Sequence, residues 1–203
     1  MTLATKITIA RIVLIVPTVA FYIAAILAGG AFYLPFLIVS CILFSVLCAT
    51  DFVDGHIARK TNTVSELGKF LDPLADKIVI VVMLFLVVYF RDFSLYAYDG
   101  LVIALLGGLI LTRELTVSVF RAVAASKGLV LAADIYGKIK TVCLDIGVAL
   151  LIIGGLNTVL AYIGTAVFYA GAVLTVWSGM NYLIKNKRVL SDVGRTPDGG
   201  EKS

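Results

Sequence analysis

Histidine occurs once in the 203 residues, at position 56, and cysteine three times, at positions 41, 48 and 143. Each cysteine sits inside an apolar run and none belongs to a CxxC pair. That leaves packing as their expected role, with a thiol nucleophile as the alternative. His56 is expected to be an interfacial side chain rather than a metal ligand. Charge is scarce too: 15% of residues are charged, 61% are hydrophobic and the mean hydropathy is +1.05. Those values exclude an ordinary water-soluble domain and describe a multi-span helical membrane protein. No A-x-A pattern follows the first apolar run, which starts almost at Met1 and carries Arg11. It is therefore expected to stay as a helix rather than be cleaved as a leader.

Apolar runs of about 20 residues, enough to cross a bilayer, recur at roughly 7–28, 34–57, 69–90, 100–123, 138–156 and 159–184. "AGGAFYLP" (28–35), "YFRDFSLYAYDG" (89–100) and "GGLN" (154–157) read as turns between them. The expected fold is an all-α integral membrane protein of six transmembrane helices, forming one domain over residues 1–190. The polar stretch 191–203, "SDVGRTPDGGEKS", reads as a flexible tail. An even number of spans puts both termini on one side. Sixteen of the seventeen basic residues fall there, and only Arg91 falls opposite. The positive-inside rule then places both termini in the cytoplasm of a cell-membrane protein. The net charge of +4 reflects topology and attraction to anionic membrane lipids, not a nucleic-acid partner.

Against this background the stretch "DFVDGHIARKTNTVSELGKFLDPLADK" (51–77) stands out, because it sets four aspartates at an apolar helix pair. A carboxylate at a bilayer centre costs about 2.5–3.5 kcal/mol, so four would cost on the order of 10 kcal/mol without compensation. Asp51 and Asp54 are three apart and Asp72 and Asp76 four apart, so each pair shares one face of its helix. Consecutive spans run antiparallel, which brings both pairs to the cytoplasmic end. Four oxygen donors form a hard-ligand site for Mg²⁺ or Mn²⁺ rather than zinc, and two divalent ions neutralise four carboxylates. Gly55, Ala58 and Gly68 clear bulk from the same faces, and Arg59 lies two turns beyond Asp51, where it can meet a phosphate. Together these residues point to metals holding a pyrophosphate. The competing reading is a structural acid–base network, for instance Arg59 with Asp54. Pro73, between Asp72 and Asp76, removes one helical hydrogen bond.

The pattern D51-x2-D54-G55-x2-A58-R59-x8-G68-x3-D72-x3-D76 resembles the signature of the CDP-alcohol phosphatidyltransferase family. The resemblance implies a six-helix fold, usually homodimeric, with two Mg²⁺ per active site, Mn²⁺ being the alternative. Asp51, Asp54 and Asp72 would ligate one ion and Asp51, Asp72 and Asp76 the other. Asp76 would also take the proton from the acceptor hydroxyl. Thr8, Gly55, Ala58, Arg59, Ser65 and Gly68 would bind the CDP-lipid.

A second stretch, "TRELTVSVFRAVAASKGLVLAADIYGKIKT" (112–141), bears on the acceptor. Arg113 and Arg121 are eight apart, two turns along one helix face, and Lys138 and Lys140 open the next span on the same membrane side. An arginine in an apolar helix is a functional candidate by default, although Glu114 offers Arg113 a local partner. Clustered Arg and Lys suit a phosphorylated acceptor. Arg113, Glu114, Arg121, Lys127, Gly128, Ala132, Gly137, Lys138, Lys140 and Thr141 resemble the phosphatidylglycerophosphate synthase branch of the family. Thr8, Arg11 and Pro17 match its N-terminal pattern, while Lys6 stands for the usual Asn and Leu144 for a common Gln. The branch implies CDP-diacylglycerol as donor and glycerol 3-phosphate as acceptor, with a cytoplasmic active site. Inositol phosphate or serine are the other acceptors weighed. A divalent-cation transporter is the alternative outside enzymology, disfavoured because the acids lie toward one membrane side and no second copy of the motif occurs.

Overall fold

A computed structural model describes the backbone over residues 3–61, 66–90, 99–126 and 135–185, and side chains mainly over 9–50, 77–90, 100–121 and 137–185. Among the described residues there are six α-helices and no strand: α1 (Leu3–Ala28), α2 (Gly30–Thr61), α3 (Glu66–Phe90), α4 (Asp99–Ser126), α5 (Ile135–Ile153) and α6 (Thr158–Lys185). Within them Ile9–Ala28, Gly30–Thr50, Gly100–Arg121 and Thr158–Lys185 are long and apolar enough to cross a membrane. The described part of α3 adds a shorter apolar segment, Lys77–Phe90. The outer surface is aliphatic, with Val16, Leu27, Leu105, Val119 and Val173 all exposed, while Arg11, Thr18, Ser40 and Lys140 are buried. An apolar outside around a partly polar inside fits lipid as the surrounding solvent.

The expected turn at 28–35 shrinks to two residues. Gly29 and Gly30 have φ of 58° and 50°, in the left-handed region where a side chain is costly. A Cβ at either would meet nothing within 4 Å, so the backbone angle and not space calls for glycine. The amides of Phe32 and Tyr33 bond back to the Gly29 carbonyl at 3.2 and 3.1 Å, and α2 continues through Pro35. The turn at 154–157 forms as expected. Asn157 caps α6, its Oδ1 accepting from the Val159 amide at 2.8 Å. Most of the third expected turn lies outside the described residues.

The central core joins Tyr22 of α1, Leu37, Phe44 and Leu47 of α2, Met83 and Val87 of α3, Ile103 of α4, Val148 and Leu151 of α5, and Phe168 of α6. At its edge the Ser40 hydroxyl donates to the Thr18 carbonyl at 2.8 Å, tying α2 to α1. The Cys41 thiol contacts the Ala149 carbonyl at 3.7 Å, in keeping with a packing role. Small residues draw α5 and α6 together: a Cβ on Gly147 would stand 2.9 Å from the Phe168 backbone, and one on Gly164 3.0 Å from Leu151. Leu144 fills the same seam, 4% exposed and about a methyl's width from Gly171. A separate small cluster, Val117, Phe120 and Ala124 with Tyr182, joins α4 to α6.

Candidate active site

The backbone sets the two aspartate pairs level. Asp51 and Asp54 lie ten and seven residues before the end of α2 at Thr61, and Asp72 and Asp76 lie six and ten residues after the start of α3 at Glu66. At 1.5 Å per residue, each pair stands about 10–15 Å from the turn that joins the helices. Both helices are unbroken there, so the spacings of three and four keep each pair on one face. Carboxylate oxygens suit hard divalent cations by donor chemistry. The side chains of Asp51, Asp54, Gly55, His56, Ala58, Arg59, Gly68, Asp72 and Asp76 lie outside the described residues, as do that of Thr8 and the whole of Ser65.

Arg11 ties α1 to this region. It is 5% exposed, and its Nη2 donates to the carbonyl of Thr50 at 3.1 Å, one residue before Asp51. A guanidinium gripping the α2 backbone at that level fixes the turn of helix that carries the first aspartate pair. Arg11 of the N-terminal pattern thus has a physical role: it ties α1 to α2 beside the aspartates.

Two cations of the second stretch, Arg113 and Lys140, meet at one acid, which Lys77 of α3 also approaches. Glu114 Oε1 accepts from Arg113 Nη1 at 2.7 Å and from Lys140 Nζ, and Lys77 Nζ stands 4.0 Å from Glu114 Oε2. Lys77 follows Asp76 directly in α3, so this junction links the acid-bearing helix to α4 and α5. The side chains are 15–20% exposed at Lys77, Arg113 and Glu114 and 5% at Lys140, which keeps the pairs largely out of bulk dielectric. A small cavity of about 40 Å³ at the junction, lined by Lys77, Glu114, Thr141 and Leu144 among others, is water-sized rather than substrate-sized.

The four cations grouped from sequence do not form one patch. Arg113 and Lys140 meet at Glu114, whereas Arg121 leans on α6: its Nε donates to Tyr182 Oη at 3.2 Å and its guanidinium lies 5.0 Å from the ring centroid. Lys138 is exposed while Lys140 is buried, because residues two apart point to opposite sides of a helix. Three α6 residues, Ser178, Gly179 and Tyr182, were not singled out in the sequence. Ser178 Oγ accepts from Arg113 Nη2 at 2.9 Å. Their signal is weak, since a serine, a glycine and a tyrosine in an apolar helix read as ordinary packing.

Comparison with known proteins gives the family. Residues 1–177 match the family described as CDP-alcohol phosphatidyltransferase. The CDP-diacylglycerol–glycerol-3-phosphate 3-phosphatidyltransferase of Bacillus subtilis is 38% identical over 151 residues, 73% of this chain and 74% of the relative. The protein of the same name from Haemophilus influenzae is 30% identical over 171 residues, 80% of this chain and 86% of the relative. A probable phosphatidylglycerophosphate synthase of Mycobacterium tuberculosis is 31% identical over 192 residues, covering 95% of this chain and 83% of the relative. The chain belongs to the CDP-alcohol phosphatidyltransferase family.

Proposed function

We propose that the protein transfers the phosphatidyl group of CDP-diacylglycerol to glycerol 3-phosphate, giving phosphatidylglycerophosphate and CMP at the cytoplasmic face of the cell membrane. Relatives at 30–38% identity carry that activity in their names. The structural observation that supports the acceptor assignment is the junction at Glu114, where Arg113, Lys140 and Lys77 come together, Lys77 being the residue after Asp76. A neutral acceptor such as serine needs no such group of cations.

In this reading Asp51, Asp54, Asp72 and Asp76 hold two divalent ions, Mg²⁺ or Mn²⁺, as the motif resemblance implies. The ions would neutralise the pyrophosphate oxygens and stabilise charge on departing CMP. Arg59, beside Gly55, Ala58 and Gly68, receives the CDP-lipid phosphates, with Thr8 and Ser65 completing its site. Arg113 and Lys140 hold the acceptor phosphate, with Arg121 and Lys138 on its approach. The acceptor hydroxyl attacks the phosphorus that bears diacylglycerol, and the bond from that phosphorus to the CMP oxygen breaks. The hydroxyl proton passes to a carboxylate oxygen of Asp76. A carboxylate that also serves as a metal ligand is a weakened base, so it receives the proton late, as the new bond forms. The working unit is a homodimer, as the family resemblance implies.

The test is CMP release by the purified protein from CDP-diacylglycerol, with glycerol 3-phosphate, glycerol, serine and inositol phosphate offered separately. Glycerol 3-phosphate should be preferred. Equal or better use of serine or inositol phosphate would overturn the acceptor assignment.

A further inference from the structure

We infer that Ser178 and Gly179 of α6 are positioning residues, which together form a seat that sets the orientation of the Arg113 guanidinium for catalysis. The inference rests on the reading that Arg113 holds a substrate phosphate. Arg113 lies across α6 at Gly179: a Cβ there would collide with Arg113 Nε, stand 2.9 Å from its Cγ and 3.2 Å from its Cδ. One residue earlier, Ser178 Oγ accepts from Nη2 at 2.9 Å, and Ser178 is itself 2% exposed. That hydroxyl in turn donates to the Thr175 carbonyl at 3.2 Å, which fixes its lone pairs toward the guanidinium.

The guanidinium is therefore held from two sides. Glu114 takes Nη1 and Ser178 takes Nη2, while Gly179 leaves the space through which the side chain passes. A planar fork held at both amino groups has a fixed plane, and a fixed plane is what bidentate phosphate binding requires. Helix packing alone does not explain the glycine. At Gly147, Gly164 and Gly171 the nearest atoms are backbone or apolar side-chain atoms of the neighbouring helix, whereas at Gly179 all three nearest atoms belong to the Arg113 side chain. Gly179 and Arg113 also share the wall of an apolar groove between α4 and α6, so the stem of Arg113 lies among aliphatic side chains.

A double-mutant cycle tests the seat. Gly179→Ala and Ser178→Ala are each made in the native protein and in an Arg113→Ala background, and KM and kcat are measured for glycerol 3-phosphate and for CDP-diacylglycerol. Each single change should raise KM for glycerol 3-phosphate about tenfold, the equivalent of one charge-assisted hydrogen bond from the displaced guanidinium to the phosphate. Neither should have a further effect once Arg113 is gone. Ser178→Ala removes only a hydroxyl and keeps the test open if Gly179→Ala does not fold. If the coupling to Arg113 appears in KM for CDP-diacylglycerol instead, the seat stands and the acceptor assignment of Arg113 falls. If the effects simply add to that of Arg113→Ala, Ser178 and Gly179 act on the fold and the seat is overturned.

Discussion

Glu114→Gln is the substitution with the sharpest expected signature. Gln keeps the length and one carbonyl acceptor of the side chain but removes the charge that Arg113, Lys140 and Lys77 share. Lys140 is affected most, because it is 4% exposed and would keep its charge with a neutral amide in place of the carboxylate. Breaking a buried pair by removing one partner costs about 3–5 kcal/mol. Glu114 is 20% exposed and Arg113 retains Ser178, so the lower end of that range, about 3 kcal/mol, is expected. Activity should fall through the acceptor: glycerol 3-phosphate loses its oriented partners, and its KM should rise about tenfold or more while KM for CDP-diacylglycerol changes little. Thermal unfolding in detergent micelles and two-substrate kinetics read the two effects separately. Adding Lys140→Met to Glu114→Gln should restore part of the lost stability, since an apolar isostere removes a buried charge together with its lost ion pair to Glu114, but should not restore acceptor affinity. If Glu114→Gln changes neither unfolding nor the acceptor KM, the junction is a surface pairing of no consequence and the reasoning fails.

Asp76→Asn should reduce turnover far more than CDP-lipid binding, because it deletes the proton acceptor and leaves one oxygen ligand; equal losses would make Asp76 a ligand only. Arg121→Gln, assayed with glycerol 3-phosphate against glycerol, should lose only part of the preference for the phosphorylated acceptor, because Arg113 and Lys140 hold the phosphate and Arg121 lies on its approach. A preference that survives undiminished while CDP-lipid affinity drops would assign Arg121 to the nucleotide or to its contact with Tyr182. Gly147→Leu should destabilise by at least about 1–3 kcal/mol through overpacking, since even a Cβ there stands 2.9 Å from the Phe168 backbone. Unchanged thermal unfolding would refute that close approach.

The helices were legible because lipid imposes a simple rule: apolar runs of spanning length must close their own backbone hydrogen bonds. Ends were less so. The stretch 28–35 contains two glycines and a proline, yet only Gly29 and Gly30 turn, and Pro35 sits inside α2. Lipid-embedded helices tolerate such a proline because neighbouring groups take up the freed carbonyl. The aspartate motif stands out in the sequence because carboxylates in apolar runs are expensive and their spacing matches the helical period. The cation group was legible only in part. Sequence gives Lys138 and Lys140 the same membrane side, and the helical period turns them apart, but which of the two is buried appears only in the folded bundle. Glu114 read as a local partner of Arg113, yet it also binds Lys140, 26 positions away, and reaches Lys77. Such long-range pairs leave no periodic trace. Ser178 and Gly179 gain meaning solely from the side chain that crosses them.

The most direct measurement of the central claim is the lipid product itself. The purified protein is reconstituted in vesicles containing CDP-diacylglycerol, given glycerol 3-phosphate and Mg²⁺, and sampled by mass spectrometry for lipid and nucleotide together. Phosphatidylglycerophosphate and CMP should appear in equal amounts, stop when the divalent ion is chelated, and be absent with Asp72→Asn. CMP appearing with phosphatidic acid instead would mean transfer to water, and undiminished product from Asp72→Asn would remove the aspartates from the chemistry; either result would contradict the account.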